Sequence, residues 1–307
     1  VYNNTSQNPS TTNRSITVLI NDGTAANSNT ATTTISINPV NDISVVTLDN
    51  TSSFTEGNTN LSVINNLTIT DSDNTTLNAA SVTLTNNLDG ITNEKISLTT
   101  TQINDAFNDF GITIDISTDN VISLSGNSLI ANYQTVMSQI VYNNTSDNPN
   151  TTNRTLDIVV NDGTANSTTV SSTISMGAIN DAPIIDLDNT TAGNNFATSF
   201  TEDNPAIAIS NAATITDVDN TNMTSATITL TNNLDGITDE NIALTAAQIT
   251  AADGLGITVN VATNNVISLS GSSSIANYQT VINQIVYNNT SQLSLIHISE
   301  PTRRTPI

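Results

Sequence analysis

The chain has 307 residues, 36% of them hydrophobic and only 3% aromatic, with 27 Asp and Glu against 5 Lys and Arg. A formal charge of −22 and an isoelectric point near 4.1 exclude surfaces built for nucleic acid or anionic lipid, which need clustered cations. The absence of cysteine excludes a disulfide framework and a thiolate metal site, and no apolar run is long enough for direct membrane insertion.

The chain opens on VYNNTS at 1–6, which returns at 141–146 and 286–291. "SITVLI" at 15–20 alternates apolar and polar residues, so Ile16, Val18 and Ile20 are expected to face inward from a strand. Asn-Asp-Gly with Asp22 and then "TATTTISI" at 30–37 complete a predicted hairpin. After a join at Asn41 and Asp42 come "FTEG" with Glu56, "DSDN" with Asp71 and Asp73, and the strand "ASVTLTN" at 80–86. "TTTQINDAF" at 99–107 is read as one or two helical turns beside a sandwich. "VISLSG", "IANYQTV" and "QIVYNNTS" follow, and then a second copy of the hairpin, with Leu156, Ile158 and Val160 inward and Asp162 in its turn. Arg14 and Arg154, each in "TTNR" ahead of a strand, are expected to pair with a nearby carboxylate.

The same series then restarts. "INDAP" brings Asn180 and Asp181, "FTED" brings Glu202, and "DVDN" brings Asp217 and Asp219. "TLTNNLDGIT", "VISLSG" and "IANYQTV" recur at offsets of 146, 145 and 145. The predicted organisation is the C-terminal part of one repeat (1–40), a complete repeat (41–179), and a repeat (180–292) truncated at its C-terminal end. Residues 293–307 break the repeat, hold the only histidine, His297, and resemble a translated sequencing adapter codon for codon. They are read as a non-native tail. Many short strands with frequent turns predict an all-β fold of tandem Ig-like, Greek-key β-sandwich repeats of about 140 residues.

The placed acids point to a cation. Asp-x-Asp in a turn aims two hard oxygens the same way, and calcium takes six to eight such ligands. Without a cation, two carboxylates about 4 Å apart repel by roughly 4 kcal/mol at an effective dielectric of 20.

The strand-A Glu, the Asp-x-Asp turn, the apolar strand ending in Asn-Asp-Gly and the Asn-Asp-x-Pro join resemble the cadherin-like tandem repeats of bacterial surface proteins, relatives of cadherin and VCBS-type modules. The resemblance implies a seven-stranded sandwich with Ca²⁺ between consecutive modules. Carried over, one junction would use Glu56, Asn180, Asp181, Asp217 and Asp219. The upstream junction would use Asn41, Asp42, Asp71, Asp73 and Asp162, with Asp22 and Glu202 belonging to incomplete sites. Two departures stand out: the Asp-Arg-Glu motif of cadherins has no match, and Ser44 replaces the proline after the first join.

Residues 1–292 contain no His or Cys and a single lysine, Lys95, so no enzyme is expected. The leading expectation is a calcium-stiffened structural or adhesive stalk of a large bacterial surface or secreted protein. Its location would be extracellular, its export signal outside these residues, and its partners the neighbouring repeats together with surface-protein or glycan ligands. The alternatives are a carbohydrate-binding module using the Asn/Thr-rich face or "IANYQTV", and a metal-free spacer.

Overall fold

The alternating Thr/Ser-rich segments pair as strands throughout the computed structural model, which describes residues 1–24, 26–49 and 51–291. The expectations for 293–307, His297 among them, lie outside the described residues. The chain divides into two compact units, Val1–Ile179 and Asn180–Ile307.

Unit 1 begins with an antiparallel hairpin of β1 (Arg14–Val18) and β2 (Ala31–Ile35). It continues through β3 (Val45–Thr47), β4 (Thr51–Thr55), β5 (Leu61–Ser62), β6 (Thr68–Thr70), β7 (Thr76–Leu84) and β8 (Glu94–Ser97). Helix α1 (Thr100–Phe110), β9 (Thr113–Asp115), β10 (Val121–Leu129), α2 (Ile130–Met137), β11 (Val141–Asn144), β12 (Arg154–Asn161) and β13 (Val170–Gly177) complete it. One sheet runs β4-β13-β12-β7-β10-β9, a second β5-β11-β8, and β3 pairs β6. The chain passes repeatedly between the two larger sheets, which share one core. Leu77, Val82, Ile122, Leu124, Leu156, Ile158 and Val160 of the first sheet are sealed together with Tyr142 of the second. Tyr142 meets Phe54 edge to face at 5.1 Å.

Three expectations change. Among the described residues, 41–179 hold eleven strands rather than seven, and the stretches after β8 and β10 fold as helices. Helix α1 runs 11 residues, about three turns rather than one or two. Its start is a capping box, in which Thr99 accepts from the Gln102 amide and the Gln102 side chain accepts from the Thr99 amide, and Gly111 ends it at φ 68°. "IANYQTV" forms α2, with Tyr133 and Val136 buried in the core.

The third change concerns the first hairpin. Leu156, Ile158 and Val160 are fully buried as expected, but Ile16, Val18 and Ile20 are 45%, 51% and 69% exposed. The pattern is the same. What differs is that β1 pairs only with β2, with no second sheet over its apolar face among the described residues.

Unit 2 repeats the plan with β14 (Ile184–Asp186), β15 (Ile207–Ala208), β16 (Thr214–Thr216), β17 (Asn222–Thr229), β18 (Glu240–Ala243), α3 (Ala246–Gly254), β19 (Thr258–Thr263), β20 (Val266–Ser274), α4 (Ile275–Ile282) and β21 (Val286–Asn289). Its sheets run β14-β16, β15-β21-β18 and β17-β20-β19. Tyr278, Ile257, Ile267, Leu269 and Ile285 centre its core.

A glycine holds the same place in both units. Gly126 at φ 133° and Gly271 at φ 126° lie so close to the next segment that an added Cβ would sit 2.3 Å from the Gly111 carbonyl oxygen and 2.2 Å from that of Gly256. Their own carbonyls accept the hydroxyls of Tyr133 and Tyr278, each at 2.7 Å. Gly126→Ala is expected to destabilise unit 1 by about 2–3 kcal/mol, from strain and the backbone clash together. Urea denaturation checks this, and an unchanged midpoint would contradict it.

Candidate metal centre

In unit 1 the fold brings all five of the upstream residues into one hydrogen-bonded group. The turn after β6 places Asp71, whose Oδ1 accepts the amides of Asp73 (3.1 Å) and Asn74 (2.9 Å), an Asx turn that its Asp-x-Asp-Asn sequence favours. The join ahead of β3 lies against this turn: the Asp42 amide donates to Asp73 Oδ2 at 3.3 Å, and the Asn74 side chain to Asn41 Oδ1 at 3.3 Å. The turn after β12 contributes Asp162, buried, which accepts from the Asn41 side chain at 2.8 Å and from the amides of Thr164 and Ala165.

In the sequence Ser44 stands out only as a departure from the Asn-Asp-x-Pro join. Its side chain is buried and its hydroxyl donates to Asp71 Oδ2 at 2.7 Å, so the substitution adds a contact that orients this carboxylate. Asn74, the last residue of "DSDN", was also passed over; its amide ties join to turn.

Unit 2 rebuilds the join-to-turn part of this arrangement. Asp217 Oδ1 accepts the amides of Asp219 (3.0 Å) and Asn220 (2.7 Å), the Asp181 amide donates to Asp219 Oδ2, and the Asn220 side chain to Asn180 Oδ1 at 2.9 Å. Pro183 stands where unit 1 has Ser44 and has no hydroxyl to give. Glu56 belongs to unit 1, in the turn after β4, where it accepts the Ile179 amide at 2.7 Å. Glu202 lies half-buried in a turn of unit 2. Asp22 is exposed and engaged by its own turn, through the hydroxyl and then the amide of Thr24, which hold its carboxyl below the ordinary value.

The charges of the unit 1 group are in tension. Contact with the Asp71 carboxyl, and then loss of hydration, push Asp73 above the ordinary carboxylate value, which the Asp42 amide only partly offsets. Burial pushes Asp71 up, but the Ser44 hydroxyl and the Asn74 and Asp73 amides outweigh it and hold it low. Burial likewise opposes, and the Asn41 side chain and the Ala165 and Thr164 amides prevail, in lowering Asp162.

The sign follows from Asp73. The folded state holds its proton more firmly than the unfolded chain, so its contribution favours folding at acid pH and is lost as pH rises past the ordinary carboxylate value. Asp71 and Asp162 act in the opposite sense. Asp73→Asn is therefore expected to raise the melting temperature of metal-free unit 1 at neutral pH, as read by calorimetry in chelator. A lower melting temperature would contradict this.

The residues fit a hard cation. Every side chain in both groups offers oxygen, and Asp219 Oδ1 is buried with no hydrogen-bond partner among the described residues, as a carboxylate oxygen left for a metal would be. Among the described residues no three acidic or imidazole side chains already stand in a metal-holding arrangement.

A second acidic site supplies the carboxylates expected for Arg154. Arg154, fully buried, donates from Nε to Glu94, also fully buried, and from a terminal nitrogen to Asp89 at 2.7 Å. Glu94 further accepts the Tyr142 hydroxyl at 2.7 Å and the amides of Leu88 and Asp89. In unit 2, Glu240 accepts the Asp235 and Leu234 amides and the Tyr287 hydroxyl, but no guanidinium among the described residues. The Asp235 amide leads in holding its carboxyl below the ordinary value.

No protein-family model and no curated protein matches the chain. Solved structures similar to it include extracellular cadherin domains 3–6 of protocadherin gamma B2, at 14% identity and TM-score 0.33, with 85% of this chain and 49% of that one covered. Human CDH23 EC21–23 follows at 12% identity and TM-score 0.28, covering 85% and 64%. Domains 4–9 of the surface layer protein SbsC give 14% identity and TM-score 0.23, covering 85% and 31%. The chain thus spans about half the length of the first of these.

Proposed function

We propose that this chain is a structural, adhesive repeat region of a large bacterial surface or secreted protein, its joins fastened by Ca²⁺. The observation that carries the reading is the recurrence, in both units, of an Asn-Asp join hydrogen-bonded onto an Asp-x-Asp-Asn turn. Asn41, Asp42, Asp71, Asp73 and Asp162 would hold one ion, and Asn180, Asp181, Asp217 and Asp219 would supply oxygens for another. When bound, the ion neutralises carboxylates that otherwise repel. The chain's own residues orient the oxygens: Ser44 and the Asn74 amide hold Asp71, and Asn41 holds Asp162. The bacterial and surface setting rests on the motif resemblance, as does the role of neighbouring repeats as partners. The repeat boundaries at 41 and 180 belong to the same proposal. With no histidine or cysteine before residue 293, the reading assigns binding and spacing rather than catalysis.

Limited proteolysis with a protease of broad specificity tests it. Calcium is expected to slow cleavage within the join at residues 38–44, and chelator to restore it, with cleavage sites read by mass spectrometry. Equal rates in the two conditions would favour the metal-free spacer.

A further inference from the structure

The second sheet of unit 1 ends on β8, which pairs only with β11 among the described residues. The Asn93 carbonyl, one residue ahead of β8, accepts the Thr145 amide. Alternation therefore turns the backbone groups of Lys95 and Ser97 towards β11, and those of Glu94, Ile96 and Leu98 away from it. The first of these is already engaged: the Asn87 side-chain amide donates to the Glu94 carbonyl at 2.7 Å, as Asn233 does to Glu240 at 2.9 Å in unit 2. Beyond that bond, no strand reaches Ile96 or Leu98 among the described residues.

This edge borders a groove of about 300 Å³, whose other wall is the turn from β9 to β10. Ile91 and Ile116 line the groove and are exposed, so it is apolar and open to water. On the turn side, Asn120 keeps a buried side-chain oxygen with no hydrogen-bond partner among the described residues, an acceptor for an incoming N–H. Lys95, the one lysine of a chain of net charge −22, stands on the strand side and Asp119 on the turn side. Both are exposed, and neither joins an ion pair among the described residues. Unit 2 has the same strand edge without the charges, since Asn241 and Asn264 take the places of Lys95 and Asp119.

We infer that the groove of unit 1 takes an extended peptide segment of a partner protein, added antiparallel to the far edge of β8. Its backbone pairs with Ile96, and the apolar side chain opposite Ile96 enters beside Ile91 and Ile116. The next residue brings a carboxylate to Lys95, as a cross-strand pair of opposite charge. A basic residue on the other side of the apolar one answers Asp119 and leaves the segment neutral, because a net negative segment is repelled by the chain as a whole. A lysine on an open edge also keeps strands from pairing there, and the experiment separates the two roles. None of the calcium-site residues lines the groove, so binding persists in chelator and its failure would leave the calcium reading untouched.

The probe is a pool of acetylated hexapeptides Thr-X-Arg-X-Asp-Thr, in which X is Val, Ile, Leu or Phe. In chelator, with the full chain, the pool at millimolar concentration is expected to slow hydrogen exchange at the Ile96 amide and to leave that of Ile242, its counterpart in unit 2, unchanged. The same pool N-methylated at both X residues, whose amides would pair with the edge, is expected to have no effect. By fluorescence anisotropy with the labelled pool, Lys95→Glu should weaken binding about fivefold or more, and a pool with Lys in place of Asp should restore it. Ile116→Ser, at an exposed position that the fold does not need, should weaken it about tenfold. No slowing at Ile96, or equal slowing by the N-methylated pool, would overturn the inference and leave Lys95 as a charge that guards the edge.

Discussion

Replacing Arg154 by methionine is expected to destabilise unit 1 by about 3–5 kcal/mol, the cost of leaving one member of a buried ion pair without its partner. Both Arg154 and Glu94 are fully buried, and Asp89 is nearly so on its side chain, so water cannot take over the role of the guanidinium. The same change removes the donors to the Asn150 and Thr152 carbonyls, which anchor the loop that leads into β12. Calorimetry should show the unit 1 transition lowered by roughly 10 °C. Unit 2 has no counterpart of this arginine among its described residues, so its transition should stay in place. Adding Glu94→Gln to Arg154→Met should recover part of the loss, because the neutral amide needs no counter-charge. A single variant as stable as the parent would show that the network carries no net energy.

Saturating calcium is the second large effect expected. A ligand bound only by the folded state stabilises it by about 1.4 kcal/mol at ten times its dissociation constant and about 2.7 kcal/mol at a hundred times. For units of this size that is a rise of roughly 3–10 °C in melting temperature. The gain arises in the carboxylate group, where Asp71 and Asp73 oppose one another and Asp42 adds to the repulsion. Asp73→Asn thus separates two effects that a structural role alone would not: higher stability in chelator and a smaller response to calcium.

Much of this was readable from the chain itself, for reasons that differ from residue to residue. The repeat was legible because its segments recur nearly unchanged, and the strands because Leu156, Ile158 and Val160 alternate with polar residues. The Asp-x-Asp turns and Asn-Asp joins were legible as local patterns, and in unit 1 the fold brings them together. Helices α1 and α2 were under-read because Thr and Asn, weak helix formers, crowd them. Arg154 was expected to find a carboxylate, but not which one, since Asp89 and Glu94 lie 65 and 60 residues away. Asp89 in "LDG" reads as a plain turn, and only tertiary contact reveals its charge partner. The burial of Ile16, Val18 and Ile20 failed for a related reason: alternation specifies which face is apolar, and a neighbouring sheet decides whether that face is covered.

The central claim is that the acidic join and turn collect oxygens for calcium, and calorimetric titration of the metal-free chain with calcium tests it most directly. Binding with a dissociation constant of about 10⁻⁴ to 10⁻³ M is predicted. It should be reduced by Asp71→Asn with Asp73→Asn, reduced again by Asp217→Asn with Asp219→Asn, and lost when all four are replaced. No binding in the parent chain, or an unchanged titration in the fourfold variant, would contradict the account.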